Sequence, residues 1–282
     1  MKQRIVFACS GSVENCAAIP WLAASVDAEV VAMTLDVGQG RELETVRQAA
    51  LAAGAVRAHV LDVREEFARE CVLGSFQDGG DEEYPLDLRV ARPLIARKLI
   101  EIARIEAATA IAHGGDARDH ETIESTAHAI DPSACVIAAS GATSAALGYT
   151  IHTTLWGRSI ECGSSHTGDD PPEEVYSLTA LSKHAPDAPA HLEISFEAGL
   201  PVAVNGVAMT MAELVESVTA IAGNHGVGRM KYASGTASEA PAGVVLHAAH
   251  AALGAVGMRA ATATVCVELF RGRHRVVSAH VS

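Results

Sequence analysis

The sequence has no long apolar run, no cluster of basic residues and no paired cysteine motif, and each absence excludes a class of function. No apolar segment approaches the roughly 20 residues that a membrane-spanning helix needs, so we expect a soluble protein. The net charge is −13 and the 21 basic residues are scattered along the chain, unlike the basic surface of nucleic-acid binders. The partners that we expect are small molecules, not nucleic acids or membranes.

Metal-binding patterns are also absent. The six cysteines form no CxxC pair or other metal-ligand spacing, and the 13 histidines include no HExxH motif. Nothing in the sequence resembles a secretory signal. We therefore predict a cytoplasmic protein with free thiols and no metal site of its own.

What is present is a large apolar content, 49% of 282 residues, arranged as alternating strands and helices in the first half. The predicted strands are residues 4–9, 29–37, 58–63, 109–114 and 134–140, and the predicted helices are about residues 14–25, 41–53, 64–73, 91–107 and 120–130. The strands are apolar on both faces, as in a parallel sheet covered by helices. This alternation predicts βαβ units in a doubly wound α/β domain of the Rossmann-like, nucleotide-binding type.

The pattern changes after about residue 140. Residues 191–206 alternate in the manner of a β-hairpin with Glu-Ala-Gly at its turn, helices are predicted at about 211–224 and 243–256, and two strand-like runs close the chain. We place the domain boundary near residues 145 to 160. The predicted domains are residues 1–150, a nucleotide-binding domain, and residues 151–282, an α+β domain.

The stretch ACSGSVENCA, residues 8–17, joins the first strand to the first helix. Glycine and serine in such a turn are typical of a phosphate site, because main-chain amides and the helix N-terminus attract anions. In doubly wound sheets, ligands bind beyond the carboxyl ends of the strands. We therefore expect function in the loops that begin at Cys9, Asp36, Asp62, His113 and Ala139.

Several segments together resemble the argininosuccinate synthase family, the PP-loop ligases that use ATP to join citrulline to aspartate. The resemblance rests on DVGQG (36–40), VREEF (63–67), YPL and ARPLIARKLIEIAR (84–104), AHG (112–114), LWGRSIECG (155–163), PPEEV (171–175), GLPVAVNG (199–206) and AGNHGVGR (222–229). These segments occur in order over nearly the whole chain, and LWGRSIECG is too specific to match by chance. The chain is identified as a shortened and divergent member.

The resemblance implies ATP and Mg²⁺ as cofactors. The cofactor-binding residues that it suggests are Ala8, Ser10, Gly11, Ser12, Glu14, Asn15, Cys16, Leu35 and Gly114. The family pattern SGGLDTS is replaced here by SGSVENC. A serine replaces the second glycine, and a cysteine replaces the last serine, whose hydroxyl is a stronger hydrogen-bond donor than a thiol. Both a working nucleotide loop and a decayed anion site remain open.

Two cysteines lie at this turn. A cysteine at a helix N-terminus is a candidate reactive thiol, which applies to Cys16 with Cys9 nearby. The alternative is that both are small buried residues, as free cysteines usually are.

On the substrate side, the resemblance suggests contacts from Tyr84, Arg89, Arg92, Arg118, Thr150 and Ser159. The family run TGKGND after AHG is replaced by GDARDHETIE, whose acidic residues disfavour a carboxylate substrate such as aspartate. A solvated loop leading into a helix is the alternative interpretation of this run. Ser238 stands where the family has a substrate-binding tyrosine. We also expect Trp156 and Arg158 to pack and to tie the two domains together.

Two functions therefore remain open. The first is an ATP-dependent carbon–nitrogen ligase that activates a ureido, carboxyl or amide group by adenylation, releases AMP and pyrophosphate, and uses substrates other than citrulline plus aspartate. The second is a catalytically degenerate relative that acts as a binding or scaffold protein. No catalytic residue is assigned. The family resemblance implies a homo-oligomer, either a dimer or a tetramer.

Overall fold

The structure is a computed structural model that describes residues 2–10, 13–40, 43–77, 91–115, 117–139, 149–162, 171–181, 183–231, 237–255 and 262–281. The chain divides into two compact units. The first comprises Met1–Val63 and Leu88–Ala145, and the second comprises Arg64–Asp87 and Ala146–Ser282. None of the helices in the described ranges is long and apolar enough to cross a bilayer.

The elements follow one another in the chain as β1 (Gln3–Ala8), α1 (Val13–Ser25), β2 (Ala28–Asp36), α2 (Leu43–Ala52), β3 (Arg57–Asp62), α3 (Arg64–Gln77), α4 (Ala91–Glu106), β4 (Ala110–His113), α5 (Ala117–Ile130), β5 (Val136–Ala138), β6 (Tyr149–Thr154), β7 (Gly157–Cys162), β8 (Ala190–Glu197), β9 (Leu200–Val204), β10 (Val207–Ala208), α6 (Met211–Asn224), β11 (Arg229–Lys231), β12 (Ala237–Glu239), α7 (Pro241–Ala255), β13 (Ala263–Phe270) and β14 (Arg273–Val281). A short 3₁₀ turn at Glu173–Val175 precedes β8.

The first unit is a five-stranded parallel sheet in the order β3-β2-β1-β4-β5. Successive residues of β1 point to opposite faces, so Val6 and Phe7 enter two different apolar clusters. Phe7 packs with residues of α1 such as Leu22, and Val6 packs with residues of α4 such as Leu99. Burying each such side chain contributes about 1.5–3 kcal/mol. The predicted doubly wound α/β fold is confirmed.

At the amino edge of this sheet, the carboxylate of Glu106 is buried among cationic groups. Its oxygens accept hydrogen bonds from Arg57 at 2.7 and 2.8 Å and contact His59 Nε2 at 2.7 Å, and Arg4 lies 3.5 Å away. Burial alone would raise the pKa of Glu106, but the bonds from His59 and Arg57 outweigh it and hold the pKa below its usual value. The cluster ties the end of α4 to the starts of β1 and β3.

The second unit contains two antiparallel sheets with strand orders β10-β9-β8-β13-β14 and β11-β12-β7-β6. The predicted hairpin over 191–206 is confirmed by β8 and β9. Its turn places Ala198 and Gly199 at φ values of 49° and 81°, which favours glycine at the second position. Sequence analysis did not predict the hairpin of β6 and β7 or the short strands β11 and β12.

Helix α3 groups with the second unit, although in the sequence it lies between two strands of the first. The Glu65 carboxylate accepts the Ala212 N–H of α6 at 2.9 Å, and His247 of α7 bonds through Nδ1 to the Ser75 carbonyl at 2.9 Å. The Phe76 ring stacks on His250 with centroids 3.8 Å apart. These contacts hold both ends of α3 against α6 and α7.

Helix α6 begins and ends where the sequence predicts. Thr210 and Glu213 form a capping box, in which each side chain accepts a hydrogen bond from the backbone N–H of the other residue. At the other end Gly226 has a φ of 73°, and a Cβ there would lie 2.8 Å from the Ala180 carbonyl oxygen. A glycine is therefore required just beyond the helix.

Candidate nucleotide and substrate sites

The turn after β1 is fixed to its neighbour strand by main-chain bonds. The Cys9 N–H donates to the Met33 carbonyl at 2.8 Å, and the buried Thr34 hydroxyl donates to the Cys9 carbonyl at 2.9 Å. One residue further on, the Ser10 N–H donates to Asn15 Oδ1 at 3.0 Å. The Ser10 amide of the turn is thus bonded to a side chain from α1.

The same carboxamide lies against the loop that follows β4. A Cβ built on Gly114 would lie 2.7 Å from Asn15 Nδ2, so no other residue fits at 114 unless Asn15 moves. Strands β1 and β4 are the neighbours at which the strand order of the sheet reverses, which is where doubly wound sheets bind ligands. Asn15 therefore links the two loops that flank this crevice.

The DVGQG turn after β2 is organised by its own side chains. Asp36 Oδ1 accepts the Gly38 N–H at 2.9 Å, and Gln39 Oε1 accepts the Val37 N–H at 2.8 Å. Gln39 Nε2 in turn donates to the Leu35 carbonyl at 2.8 Å. Leu35 is half-buried beside the apolar cluster on the α4 face, so its side chain offers an apolar surface rather than a polar contact.

Two histidines follow β4 and form a chain of hydrogen bonds. His113 is only 2% exposed, and its Nδ1 accepts the Gly115 N–H at 3.1 Å. Its Nε2 therefore carries the ring proton, and this N–H donates a hydrogen bond to His120 Nδ1 at 3.0 Å. His120 Nε2 lies 3.9 Å from the Glu124 carboxylate. These contacts join the end of β4 to the first turns of α5.

The predicted cofactor-binding residues that the structure describes gather at the carboxyl end of the first sheet. They are Ala8 at the end of β1, Ser10 in the turn, Asn15 and Cys16 in the first turn of α1, Leu35 at the end of β2 and Gly114 after β4. Gly11 and Ser12 lie outside the described residues, as does the side chain of Glu14. Their assignment as cofactor-binding residues stays a prediction.

The predicted substrate-binding residues of the first unit are less concentrated. Arg92, with a side chain 12% exposed, forms an ion pair with Asp119 of α5. Arg118 is exposed on the same helix. Tyr84 and Arg89 lie outside the described residues. Since Asp119 partly neutralises Arg92, this arginine is a weaker anion receptor than the sequence suggests.

In the second unit, the remaining predicted substrate-binding residues share one face of the β11-β12-β7-β6 sheet. Ser159 lies directly opposite both His152 and Ser238, and Thr150 lies opposite Glu161. Opposite residues of an antiparallel pair project from the same face, as do residues two apart in one strand. This face, the hydroxyl face, therefore carries the hydroxyls of Thr150, Ser159 and Ser238, the His152 imidazole and the Glu161 carboxylate, together with the hydroxyl of Thr154 at the end of β6.

The other face of the same sheet carries a buried carboxylate that sequence analysis missed. The side chain of Glu239 is fully buried and accepts hydrogen bonds from Arg158 Nη1 at 2.9 Å, from three successive main-chain amides and from the Thr179 hydroxyl at 2.7 Å. The three amides are those of Ser177, Leu178 and Thr179, at 2.9 to 3.0 Å. Glu239 thus fixes a chain segment beside β12. Its only signal in the sequence is the EAP tripeptide within the family pattern.

Trp156 and Arg158 were expected to tie the two domains together, but their described contacts lie within the second unit. Arg158 bonds to Glu239 and to the Val175 carbonyl at 2.7 Å. The Trp156 ring is buried against Gly243 of α7, where a Cβ would lie 3.3 Å from the indole. Both residues therefore stabilise the second unit.

Among the described residues there is no group of three or more His, Cys, Asp or Glu side chains arranged to hold a metal ion. Three carboxylates of the described residues, those of Glu106, Glu239 and Glu213, are instead occupied in ion pairs and capping bonds. A divalent cation bound among the described residues would therefore take most of its oxygen ligands from a bound small molecule rather than from protein carboxylates.

Comparison with known proteins gives matches to both halves of the chain. A family described as "Arginosuccinate synthase N-terminal HUP domain" matches residues 4–150, and "Arginosuccinate synthase C-terminal domain" matches residues 149–269. The argininosuccinate synthase of Streptococcus suis is 38% identical over 256 residues, which cover 82% of this chain and 64% of that protein. That of Streptococcus gordonii is 37% identical over 283 residues, which cover 89% of this chain and 70% of that protein.

Among solved structures, an NH3-dependent NAD synthetase from Campylobacter jejuni aligns with a TM-score of 0.30 and 10% identity, over 40% of this chain and 47% of that chain. Fold and sequence together define an α/β protein with a HUP, or PP-loop, domain followed by an α+β domain. The chain belongs to the argininosuccinate synthase family. It spans 64% of the length of the Streptococcus suis relative.

Proposed function

We propose that this chain is an ATP-dependent carbon–nitrogen ligase of the argininosuccinate synthase type. Such a ligase activates an oxygen of one substrate by transfer of AMP and joins the activated carbon to an amine, releasing AMP and pyrophosphate. The observation that carries the proposal is the position of the β1–α1 turn, at the crevice of the doubly wound sheet, in a chain that matches both domains of the family in order.

The residues at this crevice fit a polyphosphate in two respects. The N-terminus of α1 faces the turn and carries a partial positive charge. Because Gly114 has no Cβ, the Asn15 Nδ2 donor can lie at this crevice, where a Cβ on Gly114 would be 2.7 Å from it. The chain's own contribution would be positioning and charge stabilisation rather than a protein nucleophile. Mg²⁺ belongs to the proposal as the cation that accompanies ATP.

We further propose that the substrate pair differs from citrulline plus aspartate. Asp119 pairs with Arg92 and lies over Gly115, so the arginine that could hold a carboxylate substrate beside this run already has an anionic partner. On the hydroxyl face, His152 and Glu161 stand beside Ser159 and Thr150. An acidic group beside the hydroxyls favours a substrate with hydrogen-bond donors or a positive charge.

The test is release of pyrophosphate and AMP from Mg·ATP by the reduced chain. We expect release that depends on a substrate pair, and little or none with citrulline plus aspartate. A panel of ureido, amide and carboxyl acceptors combined with neutral or cationic amines would find the pair. Full activity with citrulline plus aspartate would contradict the altered specificity but support the ligase.

One observation favours the alternative, a binding or scaffold protein without catalysis. The Ser10 amide is bonded to Asn15 within the chain and is therefore not offered to a phosphate in this conformation. On this alternative, the chain would bind nucleotide weakly or not at all, and no acceptor would release pyrophosphate. Nucleotide binding without turnover for any substrate pair would favour it over the ligase.

A further inference from the structure

The β1–α1 turn is flanked by two cysteines whose sulfurs are close together. Cys9 Sγ and Cys16 Sγ are 3.9 Å apart, and each residue carries a thiol rather than a disulfide. We propose that Cys9 and Cys16 form a reversible oxidation site, in which a disulfide closes across the candidate phosphate-binding turn. Formation of the disulfide requires no ligase activity, whereas its effect on the affinity for ATP rests on the proposed function.

The two cysteines differ in ways that suit such a site. Cys9 is 3% exposed and its main chain is bonded on both sides to β2, so its position is fixed. Cys16 is partly exposed and lies in the first turn of α1, where thiols are commonly reactive. A peroxide would therefore reach Cys16 first, with Cys9 as the resolving thiol behind it.

The chemistry uses hydrogen peroxide as the oxidant. The Cys16 sulfur attacks one peroxide oxygen, the O–O bond breaks, and the products are Cys16 sulfenic acid and water. The Cys9 sulfur then attacks the Cys16 sulfur, the S–O bond breaks, and the hydroxyl leaves with the Cys9 proton as a second water. Two thiols lose two electrons and two protons in all, and one peroxide is reduced to two waters.

Closing the disulfide must bring the two sulfurs together, by rotation of the cysteine side chains, by movement of the first turn of α1, or by both. A disulfide joins its sulfurs at about 2.0 Å, so the two sulfurs must approach by about 1.9 Å from their present 3.9 Å. Because the main chain of Cys9 is bonded to β2, any backbone movement falls on the helix side. Asn15, adjacent to Cys16, would then shift relative to Ser10 and Gly114, the two groups that it now contacts.

Other cysteines of the described chain provide contrast and a control. Burial raises the pKa of the Cys71 thiol far above its usual value, which makes this residue inert to peroxide at neutral pH. Cys135 is exposed before β5, so a Cys135→Ser variant removes an accessible thiol away from the turn. It is the matched control for Cys9→Ser and Cys16→Ser.

The first experiment is a peptide map by mass spectrometry under non-reducing conditions, after treating the reduced chain with hydrogen peroxide. In the wild type and in Cys135→Ser we expect a peptide with a Cys9–Cys16 disulfide. Its mass is lower by two hydrogen atoms than that of the same peptide with both cysteines as thiols. Dithiothreitol should remove it, and it should be missing from Cys9→Ser and Cys16→Ser. The wild-type map alone decides the question if either variant fails to fold.

Two results of this map would overturn the oxidation site. One is Cys16 recovered as sulfinic or sulfonic acid with no linked peptide, which would mean that Cys9 does not reach it. The other is a linkage of Cys9 or Cys16 to a different cysteine in preference to each other.

The second experiment titrates Mg·ATP into the reduced and the oxidised wild type by calorimetry. We expect the oxidised chain to bind ATP at least tenfold more weakly, with full recovery after dithiothreitol. Equal affinity of the two forms would overturn the proposed effect on the nucleotide turn. If the reduced chain itself fails to bind ATP, the proposed function fails, while the peptide map still decides whether the disulfide forms.

Discussion

At the residue scale, Asn15 is the side chain on which the candidate nucleotide site depends most. Its Oδ1 holds the Ser10 amide, and its Nδ2 lies over Gly114 from the next loop. Sequence analysis placed Asn15 and Gly114 in the site only through the family resemblance. The two residues are about 100 positions apart in the chain. A sequence pattern that extends over a few residues cannot reveal a contact between such distant positions.

We predict that Asn15→Asp weakens ATP binding by about tenfold or more. An aspartate can still accept the Ser10 N–H, but it replaces a donor with a negative charge close to the proposed polyphosphate, and about 1.4 kcal/mol of repulsion corresponds to tenfold in affinity. Calorimetry with Mg·ATP measures the change. Asn224→Asp, at an exposed position in α6, is the control, and equal ATP affinity of the two variants would refute the placement of Asn15.

Also at this scale, the hydrogen bond between His113 and His120 was not predicted from the sequence. His120→Ala should destabilise the chain by about 1–3 kcal/mol, because the Nε2–H of buried His113 loses its acceptor. Denaturant unfolding measures the loss. His128→Ala, at a more exposed position of the same helix, should cost clearly less, and similar losses in the two variants would show that the His113 bond is unimportant.

At the scale of elements, the strands, helices and strand order of the first unit could be predicted from the sequence. The reason is that parallel strands and their covering helices have strong local signals, apolar runs alternating with amphipathic segments. The grouping of α3 could not be predicted. It depends on which helices its side chains meet, namely α6 through Glu65 and α7 through Ser75 and Phe76.

Glu239 ties β12 to the segment from Ser177 to Thr179, and we predict that Glu239→Gln destabilises the second unit by about 3–5 kcal/mol. The carboxamide would direct a donor at other donors and leave Arg158 without its buried carboxylate. The loss should appear as a lower midpoint in denaturant unfolding. Glu174→Gln, in the exposed 3₁₀ turn, should change stability little, and a comparable loss there would contradict the account.

The Glu106 cluster makes the first unit sensitive to acid. Because its folded-state pKa is lowered, Glu106 contributes stability that is fully present above the usual glutamate pKa of about 4.3 and is lost as the pH falls through the lower folded value. Glu106→Gln should therefore lower stability at pH 7, by about 1–3 kcal/mol, and flatten its decline in acid. Unfolding curves from pH 7 to pH 3 measure both effects.

Glu101→Gln is the control for this prediction, since Glu101 lies exposed on the same helix and pairs with Lys98 only at 3.4 Å. It should keep the acid dependence of the wild type. If Glu106→Gln keeps that dependence as well, the cluster does not carry the acid sensitivity.

At the scale of the whole molecule, the family assignment extends over nearly the entire chain, but the chain spans only 64% of the Streptococcus suis relative. The family assignment and the fold therefore do not determine how many copies of the chain associate, and the homo-oligomer stays a prediction. Light scattering on the purified chain should give the mass of a dimer or a tetramer. A monomer at micromolar concentration would contradict this prediction without affecting the nucleotide site.

The central claim is that the turn after β1 binds the polyphosphate of ATP. Its most direct test is calorimetric titration of the reduced wild-type chain with Mg·ATP, repeated in the presence of pyrophosphate. We predict saturable binding of Mg·ATP at one site per chain, from which pyrophosphate displaces the nucleotide. The absence of any binding up to millimolar Mg·ATP would contradict it.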